Sequence, residues 1–204
     1  MLYGKLLGAA VLTAGLLVAA GSFAAAGTTA AAAPTMATAA TMAADPMDAE
    51  FTEMMIPHHY QALVLSDLTP SRSSDATLKA LANRIHLEQG LEIKVMQGWQ
   101  SRNGVPVTDA ATAYEMMLDD PDMLAEMGMA SREDIAELET LSGNAFDIRW
   151  LNIMITHHEG AIRMLVDVLV TTTDPDMMQM ASDMYATQES QLNAMDEMLA
   201  AKTG

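Results

Sequence analysis

Two short stretches hold the side chains with the most chemistry in this chain. Met54-Met55-Ile56-Pro57-His58-His59 and Met154-Ile155-Thr156-His157-His158 each set two adjacent histidines just after a methionine. The chain has five histidines, and these pairs account for four of them. In a helix, Met55 stands three residues before His58 and four before His59, and Met154 stands likewise before His157 and His158. Those spacings put a thioether and an imidazole on one helical face, within reach of a shared ion. The donor set suits copper: thioether favours Cu(I), and imidazole accepts either oxidation state. Zinc prefers thiolate, imidazole or carboxylate and has no need of the methionines. The alternative is structural, with each histidine capping a helix or satisfying a buried polar contact. Adjacent helical residues point about 100° apart, so the sequence leaves open which member of each pair faces an ion.

Other chemistries fit less well. Cysteine is absent, which excludes disulfides, thiolate metal sites, iron–sulfur clusters, a cysteine nucleophile and a lipidated cysteine anchor. A di-iron bundle needs Glu-x-x-His pairs, and the sequence has none. Glu159 follows His157-His158, but Tyr60 takes the matching place, so a symmetric carboxylate site is missing. There is neither a His-Glu-x-x-His protease motif nor a strained serine turn. No catalytic constellation is recognisable, and a non-enzymatic role is expected. The net charge of −17 is opposite to that of a nucleic-acid binder, which displaces counterions with a basic patch. Twenty methionines against 4% aromatics give a core filled by aliphatic and thioether side chains.

The histidine pairs belong to an internal repeat. Shifted by 99 residues, Asp48-x-x-Phe51-x-x-x-Met55-Ile56-x-His58-His59-x-x-Ala62 lies over Asp147-x-x-Trp150-x-x-x-Met154-Ile155-x-His157-His158-x-x-Ala161 without a gap. Further on, Asp75 matches Asp174, Ala82 matches Ala181, Gln89 matches Gln188 and Met96 matches Met195, whereas His86 meets Tyr185. Leu78, Leu81, Ala82, Ile85, Gln89, Ile93 and Met96 recur at spacings of three and four, as do Met177, Met180, Ala181, Met184, Leu192 and Met195. Asp48, Asp75, Asp147 and Asp174 suit N-cap or first-turn positions. Each repeat unit is therefore a helical hairpin, and two hairpins bury each other's apolar faces as an all-α four-helix bundle. Pro57 removes one backbone hydrogen bond inside the first helix, and Thr156 replaces it in the second copy. Between the hairpins, Asn103-Gly104-Val105-Pro106 reads as a turn. Tyr114–Met117 and Ser131–Leu141 read as short helices, the latter opened by a capping-type Ser131-x-x-Asp134.

Residues 1–26 carry Lys5, an uncharged apolar run and small residues at Ser22-Phe23-Ala24 and Ala24-Ala25-Ala26, the pattern of a secretory signal. The uncharged stretch is also long enough to span a bilayer if it stays uncleaved, the one case in which a membrane would be a partner. Residues 27–45 are rich in Ala and Thr and read as a flexible linker to a domain at 46–204. An exported protein follows, periplasmic, cell-surface or secreted.

The doubled Met-Ile-x-His-His-x-x-Ala core, the leading Asp-x-x-Phe/Trp, Gln89 and Gln188, and Gly128-Met129 resemble the DUF305 family over about residues 46–200. That resemblance implies an exported protein with a ferritin-like four-helix architecture, and some family members are periplasmic copper-binding proteins linked to copper resistance. It implies Met55, His58, His59, Met154, His157 and His158 as the residues for a copper ion, with Met127 and Met129 as further thioethers. Copper binding, buffering or resistance is the expected role. A metal-free structural or partner-binding bundle is the alternative, and a ferritin-like redox enzyme stands behind both. The oligomeric state, a homo-oligomer included, is left open.

Overall fold

The computed structural model describes residues 44–204, so the expected signal at 1–26 and nearly all of the expected linker at 27–45 lie outside the described residues. The described chain is all-α, with no strand. The first hairpin is α1 (Pro46–Asp67), a single turn α2 (Thr69–Arg72) and α3 (Ala76–Arg102). The connection carries three short helices, α4 (Ala110–Met117), α5 (Pro121–Met127) and α6 (Arg132–Thr140). The second hairpin is α7 (Gly143–Thr171) and α8 (Pro175–Thr203). Within the hairpins α1 packs on α3 and α7 on α8; between them α1 meets α7 and α3 meets α8. α1 runs continuously through Pro57.

Helix starts follow the aspartates, with one exception. Asp75 accepts hydrogen bonds from the Thr77 and Leu78 amides, and Asp174 from those of Asp176 and Met177. The cap of α1 is Asp45, so Asp48 falls in the first turn. Asp147 departs from the expectation. α7 starts four residues earlier, at Gly143, and Asp147 lies beyond the first turn as a buried carboxylate. Lys202 near the end of α8 donates to it at 2.9 Å and to Asp75 at 2.6 Å. One cation thus ties the last turn of the chain to the beginnings of α3 and α7. Replacing Lys202 with methionine keeps the packing stem but leaves Asp147 uncompensated, and is expected to cost about 3 kcal/mol. Urea denaturation checks this, and Lys202→Met/Asp147→Asn should recover part of the loss.

The apolar core is divided by the repeat. One cluster takes Ala62, Leu78, Leu81, Ala82 and Ile85 from the first hairpin and Trp150, Met154 and Met195 from the second. The other takes Ala161, Met177, Met180, Ala181 and Met184 from the second hairpin and Phe51, Met55 and Met96 from the first. Each residue in one list has its 99-offset counterpart in the other. The two clusters are therefore copies exchanged by the pseudo-twofold of the duplication. Every long helix passes from one cluster to the other, and each carries buried polar side chains at the crossing point. On α1 they are His58 and His59, on α3 Gln89, on α7 His157 and His158, and on α8 Gln188 and Gln191. A polar layer thus crosses the middle of an otherwise apolar bundle.

Candidate metal centre

All four paired histidines are fully buried. Within each pair the two rings have different tasks. His58 and His157, the first members, meet across the seam between α1 and α7, with ring centroids 3.7 Å apart and planes tilted by 31°. His59 and His158, the second members, turn towards the partner helix of their own hairpin. His59 Nε2 lies 2.8 Å from Glu92 Oε2 on α3, and His158 Nε2 lies 2.7 Å from Gln191 Oε1 on α8. Glu92 and Gln191 are themselves related by the 99-residue offset, so one layout is built twice with one acid exchanged for an amide. Gln191 in turn donates to Glu88 at 2.6 Å.

The bonds fix the tautomers. His58 Nε2 is 3.1 Å from the Met127 carbonyl oxygen, and His157 Nε2 is 3.0 Å from the carbonyl of His58. A carbonyl only accepts, so both Nε2 atoms carry the proton. The Glu92 carboxylate imposes the same state on His59. The Nδ1 atoms of His58, His59 and His157 are buried and have no protein partner. In a neutral ring that atom bears a lone pair. Burial holds His58 and His157 well below the ordinary imidazole pKa, and their histidine neighbours push the same way. His158 is different: Nδ1 faces the Met154 carbonyl at 2.9 Å and Nε2 faces Gln191, so neither nitrogen is free. Burial pushes its pKa down to about 4.

These shifts set an acid limit for the metal-free protein. An unfolded histidine takes up a proton near pH 6.5, but folded His58, His157 and His158 resist it. Below about pH 6.5 the unfolded state therefore binds more protons, and stability falls as pH drops. His158 alone accounts for about 3 kcal/mol by the time pH reaches about 4. Urea midpoints of metal-free protein are expected to fall steadily between pH 7 and pH 5. A flat profile would show that the rings are not held neutral.

The connection closes the layer from outside. α5 ends in a left-handed Gly128 (φ 69°), with Met129 N–H bonded back to Leu124 O at 2.8 Å, the Schellman arrangement. This turn lies directly on α7. A Cβ on Gly160 would overlap the Met127 carbonyl oxygen and stand 2.6 Å from its carbon, and a Cβ on Gly128 would overlap the Thr156 carbonyl. At the position of α1 equivalent to Gly160, Gln61 clamps the next residues of the same segment. Its amide donates to Ala130 O at 2.9 Å and accepts from Ala130 N at 2.7 Å. Both hairpins thus hold residues 127–130 by the same repeat position, and this hold places the Met127 carbonyl against His58.

The methionines expected near the histidines spread over three clusters. Met55 and Met154 sit in the two exchanged apolar clusters, on opposite sides of the polar layer. Met127 and Met129 belong to a third cluster with Tyr114, Met117, Leu118 and Leu124. Among the described residues no three His, Asp or Glu side chains converge on one ready-made ion position. Gln89 and Gln188 have both amide atoms buried and unpartnered. Each such atom costs about 1–3 kcal/mol if nothing satisfies it, so the layer is built for more donors and acceptors than the chain itself supplies. Glu92, Gln191, Gln61 and Gly160 were not singled out from the sequence. Extending the repeat comparison to Glu92/Gln191 and Gln61/Gly160 would have drawn attention to them.

The model of the family described as a domain of unknown function, DUF305, matches residues 48–199. The chain belongs to the DUF305 family. A DUF305 fragment from Deinococcus radiodurans has a similar structure, at 29% identity and TM-score 0.70, covering 78% of this chain and 99% of that one. A DUF305 protein from Streptomyces coelicolor, described as a candidate secreted protein, is 28% identical at TM-score 0.67, covering 78% and 96%. The protein CopM in its Cu(I)-bound form is 26% identical at TM-score 0.61, covering 77% and 98%. CopM has also been solved with Cu(II) and with Ag bound. No curated protein matches the chain. The DUF305 fold thus includes a copper-binding protein, and among the described residues no helix is long and apolar enough to cross a membrane.

Proposed function

We propose that this DUF305 protein is an exported, non-enzymatic binder of copper, acting in copper buffering or resistance. In this reading the ion is held between the hairpins by Nδ1 of His58 and His157, whose rings meet across the seam. One observation carries the reading. Two buried neutral imidazoles, His58 and His157, have Nε2–H anchored on a carbonyl and leave Nδ1 without a protein partner. Metal-ligating histidines are held in this manner, the distal N–H donated to an oxygen so that the ring is oriented and its other nitrogen made more basic.

The likeness to CopM with Cu(I), Cu(II) and Ag bound supports copper over other metals. Imidazole by itself suits zinc, copper, iron or nickel, so the choice of copper rests on that likeness. Bound between the hairpins, such an ion would link α1 to α7 and stabilise the folded bundle. Its charge would be balanced by the nearby Glu92 carboxylate. Export is supported by the leader and by the Streptomyces relative. Metal analysis of protein taken from its native compartment, followed by Cu(I) competition against a chelator of known affinity, tests the proposal. Copper at about one equivalent or more supports it; stoichiometric iron with oxygen consumption would favour a redox enzyme instead.

A further inference from the structure

The two repeat units differ on the outer faces of α3 and α8. Along α3, Leu87, Leu91 and Val95 follow one another at spacings of four and are 57%, 61% and 51% exposed. Residues so spaced share one helical face. Their 99-offset counterparts on α8 are Ala186, Ser190 and Ala194. The repeat therefore folds without large apolar groups at these positions, and packing within the bundle does not account for them. The charges differ as well. α3 carries four lysines and arginines against two carboxylates, and α8 carries one lysine against five carboxylates. Arg84 on α3 corresponds to Asp183 on α8, and Lys94 to Asn193. One outer face is large and basic, and the other is small and acidic.

Both faces lie on one side of the bundle. α3 packs on α8, whereas the short helices α4, α5 and α6 pack on α1 and α7. A cavity of about 380 Å³ between the two faces is lined by Thr77, Ala80, Leu81 and Arg84 of α3 and by Ala194 and Met198 of α8. The beginning of α3 thus stands level with the end of α8, and the two helices run antiparallel. Through the offset of 99, Arg84 level with Ala194 becomes Asp183 level with Val95. Among the described residues nothing covers Leu87, Leu91 or Val95, and a contiguous exposed apolar stripe marks an interaction surface.

We propose that this side of the bundle is the interface of a twofold dimer, in which α3 of each copy packs on α8 of the other. A half-turn about an axis parallel to the helices brings the two sides face to face and exchanges α3 with α8. That rotation keeps each residue's height along the helices. Leu87 and Leu91 then meet the stretch from Ala186 to Ser190 of the second copy, and Lys94 stands level with Asp183 of the second copy. Large side chains face small ones and a cation faces a carboxylate. The same contact is made twice and closes on itself, as a twofold interface does. Pairing α3 with α3 would instead set cation against cation. Complementary charge fixes register and suppresses wrong pairings, a strong constraint between copies that each carry −17 overall. The dimer does not depend on the copper reading.

Sedimentation velocity of the full mature protein over a range of concentrations tests this. A monomer that passes to a dimer, and no further, is expected. Monomer alone up to about 1 mM overturns the proposal, and assemblies that grow beyond the dimer overturn its closed twofold form. Leu87→Ala/Leu91→Ser gives α3 the residues of its repeat counterpart and should weaken dimerisation by about tenfold or more. Far-ultraviolet circular dichroism should stay unchanged, because both positions are exposed. Unchanged dimerisation in that variant overturns the interface. Lys94→Glu and Asp183→Lys should each weaken the dimer, and the two together should restore it. A double variant no tighter than the single ones would mean that α3 does not face α8, and overturns the pairing.

Discussion

Gly160→Ala is expected to be among the most damaging single-methyl changes in this protein. The added Cβ would overlap the Met127 carbonyl oxygen and stand 2.6 Å from its carbon. That neighbour is backbone, held by the Schellman turn at Gly128 and by the Gln61 clamp on Ala130. It cannot swing aside as the end of a long side chain would. Overpacking of ordinary cores costs about 1–3 kcal/mol, and this contact should reach or exceed the upper end, about 3 kcal/mol or more. The displacement also pulls the Met127 carbonyl from His58 Nε2, so loss of stability and loss of metal affinity should appear together. Chemical denaturation and Cu(I) competition on the same variant check both. A mild effect on both would mean that residues 127–130 can lift off α7 freely. Ala on the exposed side of the same helix, for instance Asn152→Ala, serves as the comparison.

The second large effect concerns the seam histidines. If His58 and His157 hold the ion, saturating Cu(I) at about a thousand times its dissociation constant stabilises the fold by about 4 kcal/mol. For a domain of this size that raises the melting temperature by roughly 10 °C. His58→Gln/His157→Gln is expected to abolish most of that rise. The same variant separates the copper reading from a purely structural one. Both rings also tie helices: His58 holds the connection through Met127 O, and His157 holds α1 through His58 O. The metal-free variant should therefore melt lower than the parent in either case. Only a copper site makes the parent's melting temperature respond to copper, and only then does the double substitution remove that response. Differential scanning calorimetry with and without Cu(I) under reducing, anaerobic conditions gives both quantities.

The duplication made most of the fold legible. A constant offset of 99 fixed two hairpins, and the stripes from Leu78 to Met96 and from Met177 to Met195 fixed which faces were buried. Asp147 was misplaced because α7 begins at Gly143, before the repeated unit does, so a repeat boundary was taken for a helix boundary. The histidine pairs were found from residue type and spacing alone. Their division of labour was not, because it depends on what lies beyond each helix. His58 has a backbone carbonyl 69 residues away for a partner, and a carbonyl leaves no mark on sequence. The close approach of Gly128 to Gly160 was equally hidden, since the two glycines have no periodic relation and meet only once α5 is laid on α7. The methionines were read as companions of the histidines by helical spacing. The fold instead deals them to three apolar clusters, because a helical face shared at three and four residues is also the face that packs.

The central claim is that Nδ1 of His58 and of His157 are the free lone pairs that take the ion. Imidazole nitrogen NMR of the protein at neutral pH, before and after one equivalent of Ag(I), addresses it atom by atom. The predicted result is that both rings start neutral with the proton on Nε2, and that Ag(I) shifts Nδ1 of both while Nε2 stays protonated. Nδ1 signals of both rings that stay in place under excess Ag(I) would contradict it, as would a proton found on Nδ1 in the metal-free protein.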